Sequence, residues 1–320
     1  MTSHALTRGE ADRDPIPKAR RSSAARLSGN GPRLRFQPTP YLLILPVGVF
    51  LALFTLLPFL WAVLISVQPP LQASSGAISA FSIANFREIF TDPDTFNSLL
   101  VTVVYSAATT ILIIAVSIAT ALALKTVRRG SGLYQLVLII PLTLAPPVVV
   151  ILWQALFDPT SGAVDGVLVG LGLPRQGFYE STGQALAVIV AMAVWSNSGF
   201  WTLVFLSNLR TFSTEVFEAA AVDGSGPIRT FVSITFPLLR RTVLLASVVL
   251  STAGLVVFIP AQLLTQGGPG NATNFMMFQA AQDVLRFGTP GNANAIVVVL
   301  LVLIGIVAAV QFRLMRSEDA

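Results

Sequence analysis

The sequence predicts an all-α integral membrane protein with six transmembrane helices and both termini in the cytoplasm. Three observations carry this expectation. Of 320 residues, 54% are hydrophobic and only 11% charged, against about 25% charged in ordinary globular chains, and mean hydropathy is +0.75. Six stretches reach the ~20 apolar residues that a helix needs to cross a bilayer: roughly 41–67, 98–124, 133–157, 184–206, 242–264 and 294–314. Lysine and arginine gather between alternate stretches, as they do in cytoplasmic loops.

In chain order, residues 1–36 come first. They are polar, rich in Arg, Ser, Pro and Gly, and hold too little apolar surface to fold alone. They are read as a disordered basic cytoplasmic tail. Its arginines can meet anionic lipid headgroups, or it can be a solvated segment that only fixes orientation. The first apolar run lies too far along the chain for a secretory signal. The six-span domain covers 37–316, and 317–320 form a short end.

The basic residues set the orientation. Eight precede the first stretch. Lys125, Arg128 and Arg129 follow the second, Arg210, Arg229, Arg240 and Arg241 the fourth, and Arg313 and Arg316 the sixth. The other three loops hold one each: Arg87, Arg175 and Arg286. Both ends on one side require an even number of spans, and six satisfies it. Several spans carry breakers: Pro46 and Pro58 in the first, Pro141, Pro146 and Pro147 in the third, Gly254 and Pro260 in the fifth. Proline removes a backbone donor and kinks a helix. Kinks are tolerated where neighbours or a cavity satisfy the freed carbonyls. They fit ordinary helix packing or a bundle around a translocation path. The sequence contains no repeat.

Much chemistry is excluded. There is no cysteine and the only histidine is His4, so no thiolate nucleophile, histidine base or Cys/His metal site is expected. The spans hold almost no ionisable side chain, which argues against a proton relay or a voltage sensor. No GxxxxGK[ST] loop is present, so the chain does not hydrolyse ATP itself. No catalytic residue, bound cofactor or metal is expected, and the +5 net charge calls for no nucleic acid.

One stretch stands apart. Residues 215–237 read EVFEAAAVDGSGPIRTFVSITFP, a charged, glycine-broken segment between apolar runs. Ser213 or Thr214 can cap a first helix, with Glu215 at the positive end of its dipole. Ala219, Ala220 and Ala221 favour helix, and Gly224 can end it in the left-handed conformation. Gly226 and Pro227 start a second helix. Ile228, Phe231, Val232 and Thr235 follow at helical spacing, and Pro237 is expected to end that element before the next span. A short, stiff pair of this kind can fill a groove on a partner. The alternative is a helix lying on the membrane surface, which the acids Glu215, Glu218 and Asp223 disfavour.

Glu218-Ala219-Ala220, three residues, Gly224, nine residues, Ile234, one residue and Phe236-Pro237 resemble the EAA-x3-G-x9-I-x-LP motif of ABC importer permeases, with Phe236 in place of Leu. The segments 140–162, 193–224 and 263–273 resemble the carbohydrate-uptake branch, of the maltose and glycerol-phosphate type. The likeness covers roughly residues 40–316. It implies a type I importer permease fold in a bacterial inner membrane. In that family the 213–237 segment is the coupling helix seated in a cleft of the ATP-binding subunit, which implicates Glu218, Ala219, Ala220, Asp223, Gly224, Ile234 and Pro237.

The partners implied are a second homologous permease, two ATP-binding subunits that hold ATP and Mg, an extracytoplasmic solute-binding protein, membrane lipid and a sugar. The mechanism implied is alternating access. Register with the maltose permease implies a substrate path at Leu142 and Pro146, at Ala193, Ser196, Asn197 and Phe200, and at Leu250 and Gly254. Trp195 adds an aromatic platform beside them. Several positions that are polar in the maltose protein are apolar here, so the same sugar pose does not carry over. A buried basic residue would favour a phosphate ester, and the spans show no convincing one. The alternatives are a permease for glycerol-3-phosphate, a polyol or another small solute, and a membrane structural or signalling subunit that transports nothing.

Overall fold

The computed structural model describes residues 38–69, 81–127 and 129–316. The basic tail expected at 1–36 and the end at 317–320 lie outside them. The described chain is helical, with no strand among the described residues.

The first unit ends at Leu51. Its described part is the helix α1 (Pro38–Leu51), with Pro46 inside it. The second unit begins at Ala52. A π-helical turn (Ala52–Leu56) leads into α2 (Leu57–Ser66). Pro58 stands in the first turn of α2, directly after that π-helical turn, whose wider winding accommodates its missing N–H. Then come α3 (Ala84–Thr91), α4 (Pro93–Thr126), α5 (Ser131–Thr143), α6 (Pro146–Leu156), α7 (Ala163–Gly170) and α8 (Ala185–Thr211). They are followed by α9 (Thr214–Val222), α10 (Pro227–Thr230), α11 (Phe236–Leu255), α12 (Met276–Leu285) and α13 (Pro290–Arg316).

Among the described residues, five helical runs are long and apolar enough to cross a membrane: Leu43–Ser66, Pro93–Thr126, Ala185–Thr211, Pro227–Leu255 and Pro290–Leu314. The pair α5 and α6 makes a sixth if it is one broken span. Two expectations need correction here. The third stretch, 133–157, is not one kinked helix. It is two half-helices bent by 99°, with Leu144 and Ala145 extended between them. The cause is local. A residue before proline is pushed out of the helical region, and Ala145 precedes Pro146-Pro147. The fifth span is displaced as well. The sequence places it at 242–264, but the helical run covers Pro227–Leu255. Pro237 does not end the preceding element. It lies in the first turn of α11, after a π-helical turn at Phe231–Thr235. That wider turn accommodates the ring and its missing donor.

Helix α4 is the centre of the second unit. It packs along α8 and α11, while α5 packs on α8 and α13 on α2, α11 and α12. Lipid offers no hydrophobic force between helices, so close approach and hydrogen bonds hold such seams. Ser106 donates to the Ser251 carbonyl at 2.8 Å, and a Cβ on Gly254 would lie 2.8 Å from Ser106 Cα. Ser117 donates to the Ser198 carbonyl at 2.9 Å. A Cβ on Gly199 would fall 1.8 Å from the Leu138 carbonyl oxygen, so α5 and α8 touch through their backbones.

Candidate functional site

Three features bear on function. The first is a cavity of about 240 Å³ between α4, α5, α6, α8 and the segment after α11. Five expected path residues meet there: Leu142, Pro146, Ala193, Ser196 and Asn197. The 99° break aims the ends of α5 and α6 at this space. Ser196 donates to the Met192 carbonyl at 2.9 Å and Asn197 to the Ala193 carbonyl at 2.9 Å. Each thereby satisfies one donor on its own helix. The serine lone pairs, the asparagine carbonyl and its second N–H remain available to a ligand. No charged side chain lines the cavity.

Four expected path residues lie outside this wall. Leu250 is buried in a core cluster with Trp201 and Phe205. Gly254 serves the close crossing of α11 on Ser106. Phe200 packs edge-on against Trp201. Trp195 stands 6.1 Å from Trp153 and faces a separate apolar groove with Ala108, Leu112 and Val194. In return the cavity gains Tyr105, Met192 and Ile259, which sequence reasoning did not single out, and Pro260, which it read only as a helix breaker. Tyr105 is the one with hydrogen-bonding capacity. The available signal was a lone tyrosine in the apolar stretch 98–124. Its ring lies 4.9 Å from that of Phe275, which ties the cavity wall to the loop before α12.

The second feature is the α9–α10 knob. Ser213 accepts from the Glu215 N–H at 3.3 Å, so it is the cap. The end of α9 closes with Gly224 N–H to the Ala221 carbonyl and Ser225 N–H to the Ala220 carbonyl, the paired bonds of a Schellman ending. Gly224 has φ +72, in the region that L-residues avoid. Gly226 caps α10 and Pro227 opens it. Ala220 is buried, while Glu218, Ala219, Asp223 and Gly224 are exposed. Ile234 is half-buried and Pro237 exposed. The tip carries Val222 at 88% and Ile228 at 80% exposure, on either side of the glycine turn. Sequence reasoning did not single out Val222. The Lys125 ammonium sits 4.1 Å from the centre of the Phe217 ring, which fastens the knob to the last turn of α4.

The third feature is at the other end of α4. A polar cavity of about 410 Å³ lies between α3, the start of α4, the 266–274 loop, α12 and the start of α13. Glu88, Asp92, Asp94 and Asp283 line it, with Arg286 as its one basic residue. Asn271 donates to Asp94 at 2.8 Å and Asn97 to the Asn271 carbonyl at 3.0 Å, which pin the loop to α4. Burial pushes the Asp283 carboxyl up to about 6. The charges of Glu88 and Asp92 push the same way, and a hydrogen bond from Gln279 opposes them.

Among the described residues, no group of three or more His, Cys, Asp or Glu side chains is arranged to hold a metal ion.

Residues 112–317 match the family described as binding-protein-dependent transport system inner membrane component. The chain is 34% identical over 287 residues to the sn-glycerol-3-phosphate transport system permease protein UgpA of Yersinia pestis bv. Antiqua, covering 87% of this chain and 94% of that one. It is 30% identical to UgpA of Escherichia coli (strain UTI89 / UPEC) over 297 residues, covering 91% and 99%. Its fold is similar to a chain of a bacterial ABC transporter involved in the import of the acidic polysaccharide alginate. The TM-score is 0.76 at 18% identity, over 88% of this chain and 96% of that one.

Proposed function

Because the chain belongs to the family of binding-protein-dependent transport system inner membrane components, we propose that it is a permease subunit of an ABC importer for a neutral sugar. Both termini face the cytoplasm, where the basic loops gather. A second homologous permease completes the path, two ATP-binding subunits supply the energy, and an extracytoplasmic solute-binding protein delivers the sugar. The sugar is a mono-, di- or oligosaccharide. Nucleotide closes the ATP-binding subunits, the α9–α10 knob moves with them, and the cavity changes its open side. Each ligand shifts the balance by its difference in affinity for the two states.

The observation that carries the sugar reading is the chemistry of the cavity wall. Ser196, Asn197 and Tyr105 offer neutral hydrogen-bonding groups beside apolar Leu142, Val149, Val150 and Met192. Hydroxyls and C–H faces suit such a wall. An isolated phosphate does not, because burying a charge without a partner is costly. At about 240 Å³ the cavity is also below the ~300–1,000 Å³ of complete ligand sites, which fits a path shared with a second subunit.

A second reading is favoured by the relatives, whose named solute is glycerol-3-phosphate. Against it stand the uncharged cavity and the four carboxylates around the outer one, which repel an anion.

The test is ATP turnover of the assembled complex in lipid. It is screened with mono- and disaccharides, glycerol-3-phosphate and polyols, each with the cognate binding protein. Stimulation by a neutral sugar is expected. Stimulation by glycerol-3-phosphate alone would replace the sugar reading with the second one. Tyr105→Phe and Asn197→Ala are each expected to raise the KM for transport about tenfold. That is the effect of losing one hydrogen bond of about 1.4 kcal/mol. Unchanged transport across the panel would remove both residues from the path.

A further inference from the structure

We propose that the outer cavity ringed by Glu88, Asp92, Asp94 and Asp283 receives a basic side chain, arginine by preference, presented by the docked solute-binding protein. The proposal rests on the importer reading above, which supplies the partner and places this end of α4 outside the cell.

The first argument is a shortage of donors. Asp283 Oδ1 accepts from Gln279 Nε2 at 2.9 Å, and Gln279 Oε1 accepts from Asn274 Nδ2 at 2.8 Å. An ionised carboxylate only accepts, so it fixes the direction of this chain. Gln279 must turn its amide nitrogen to Asp283 and its oxygen to Asn274. Asn274 must then use its nitrogen, which leaves its oxygen over. Asn274 is 5% exposed, lines the cavity, and its Oδ1 has no hydrogen-bond partner. Gln282 Oε1 and Asn292 Oδ1, in the same wall, also have none. Buried polar atoms are normally satisfied. Three orphaned acceptors beside four carboxylates call for an incoming donor that carries positive charge.

The second argument decides which cation. These carboxylates are not clustered as a metal ion requires. The acceptors are instead spread around about 410 Å³. A compact ion satisfies only neighbouring oxygens. A guanidinium offers five N–H donors in a rigid plane and can engage acceptors on several sides. Arg286 of this chain is exposed at the same rim and offsets only one of the four acids.

Charge near Asp283 gives the site a pH dependence. The groups around it are Glu88 on α3, Asp92 and Asp94 at the start of α4, Gln279, Gln282 and Arg286 on or beside α12, and Thr289 and Asn292 near the start of α13. Its carboxyl is raised to about 6, so its charge appears as pH rises through that value. Docking of a cation therefore tightens between pH 5 and pH 7.

The experiment uses the complete transporter in nanodiscs and measures its affinity for the solute-loaded binding protein. Glu88→Gln alters an exposed rim residue without touching the packing, and Asp283→Asn alters the buried one. Each is expected to weaken docking about tenfold, with basal ATP turnover unchanged and with a flatter pH profile for Asp283→Asn. Agmatine, a small guanidinium, should compete with docking more strongly than sodium chloride of equal ionic strength. Docking indifferent to both variants and to agmatine would overturn the proposal alone. Stimulation of ATP turnover by agmatine would make the cavity a solute site and also overturn it. Failure of the wild type to dock any binding protein would overturn this proposal together with the importer reading.

Discussion

Glu218→Lys and Gly224→Asp are each expected to abolish solute-stimulated ATP turnover in a chain that still inserts into the membrane. The reason lies in the tip of the knob. Gly224 has φ +72, and a Cβ added there would meet nothing within 4 Å, so the cost of substitution is conformational and not steric. A left-handed backbone costs an L-residue about 1–2 kcal/mol, somewhat less for Asp. The new carboxylate also sits at the negative end of the α9 dipole, at a further cost of about 0.3–1 kcal/mol. The turn that holds Val222 and Ile228 on the surface then relaxes. These two side chains are 88% and 80% exposed, so they are anchors only if a partner covers them. Glu218→Lys reverses a charge on the exposed face of the same helix and leaves buried Ala220 in place. Co-purification of the ATP-binding subunits, followed by ATP turnover with and without solute, reads both effects. If both variants retained their ATPase partners and full stimulation, the coupling role of this segment would be wrong.

Gly199→Val is expected to destabilise the bundle by about 3 kcal/mol or more, the upper range for overpacking, and to lower the yield of folded protein. Even a Cβ at residue 199 would lie 1.8 Å from the Leu138 carbonyl oxygen and 2.6 Å from its carbon. Both atoms are backbone, so no side-chain rotation relieves the clash. Helices α5 and α8 would have to separate. Ser196 lies one turn back on the same side of α8, and the carbonyl of Ser198 accepts from Ser117 of α4. Separation would therefore disturb the cavity as well as the seam. A thermal melt of the purified chain in detergent is the direct measurement. A melting temperature within a degree of wild type would show that the α5–α8 contact is not needed.

Legibility in the sequence followed the physics of each element. The apolar runs were plain, since length and hydropathy suffice to find a span. The ending of α9 was plain too, because only glycine takes the Schellman position easily, and Gly224 occupies it. The break at Leu144–Ala145 was half legible. The prolines gave its place, but a 99° turn depends on what packs around the two half-helices. The displaced fifth span was not legible, because Pro237 reads as a terminator unless a π-helical turn precedes it, and no local residue type announces one. In the cavity, Ala193, Ser196 and Asn197 of α8 came together as expected, while Phe200, one turn further on, packs against Trp201 instead. Leu250 and Gly254 did not, because their helix turns that face to α4. Tyr105 was missed for the complementary reason. It reaches the cavity from α4 by a crossing geometry that spacing along one chain segment does not encode.

The broken span has one more consequence, for the tightness of the membrane. The start of a helix normally leaves four N–H groups without partners, and in hydrocarbon such groups draw in water. At the start of α6, Pro146 and Pro147 have no N–H to leave. The next two donors, Val148 and Val149, both bond the Ala145 carbonyl, at 2.9 and 3.2 Å. The α6 side of the break can therefore lie deep in the bilayer without water to satisfy its donors. Its N–H groups thus anchor no chain of water along which protons could leak while the membrane holds its gradient.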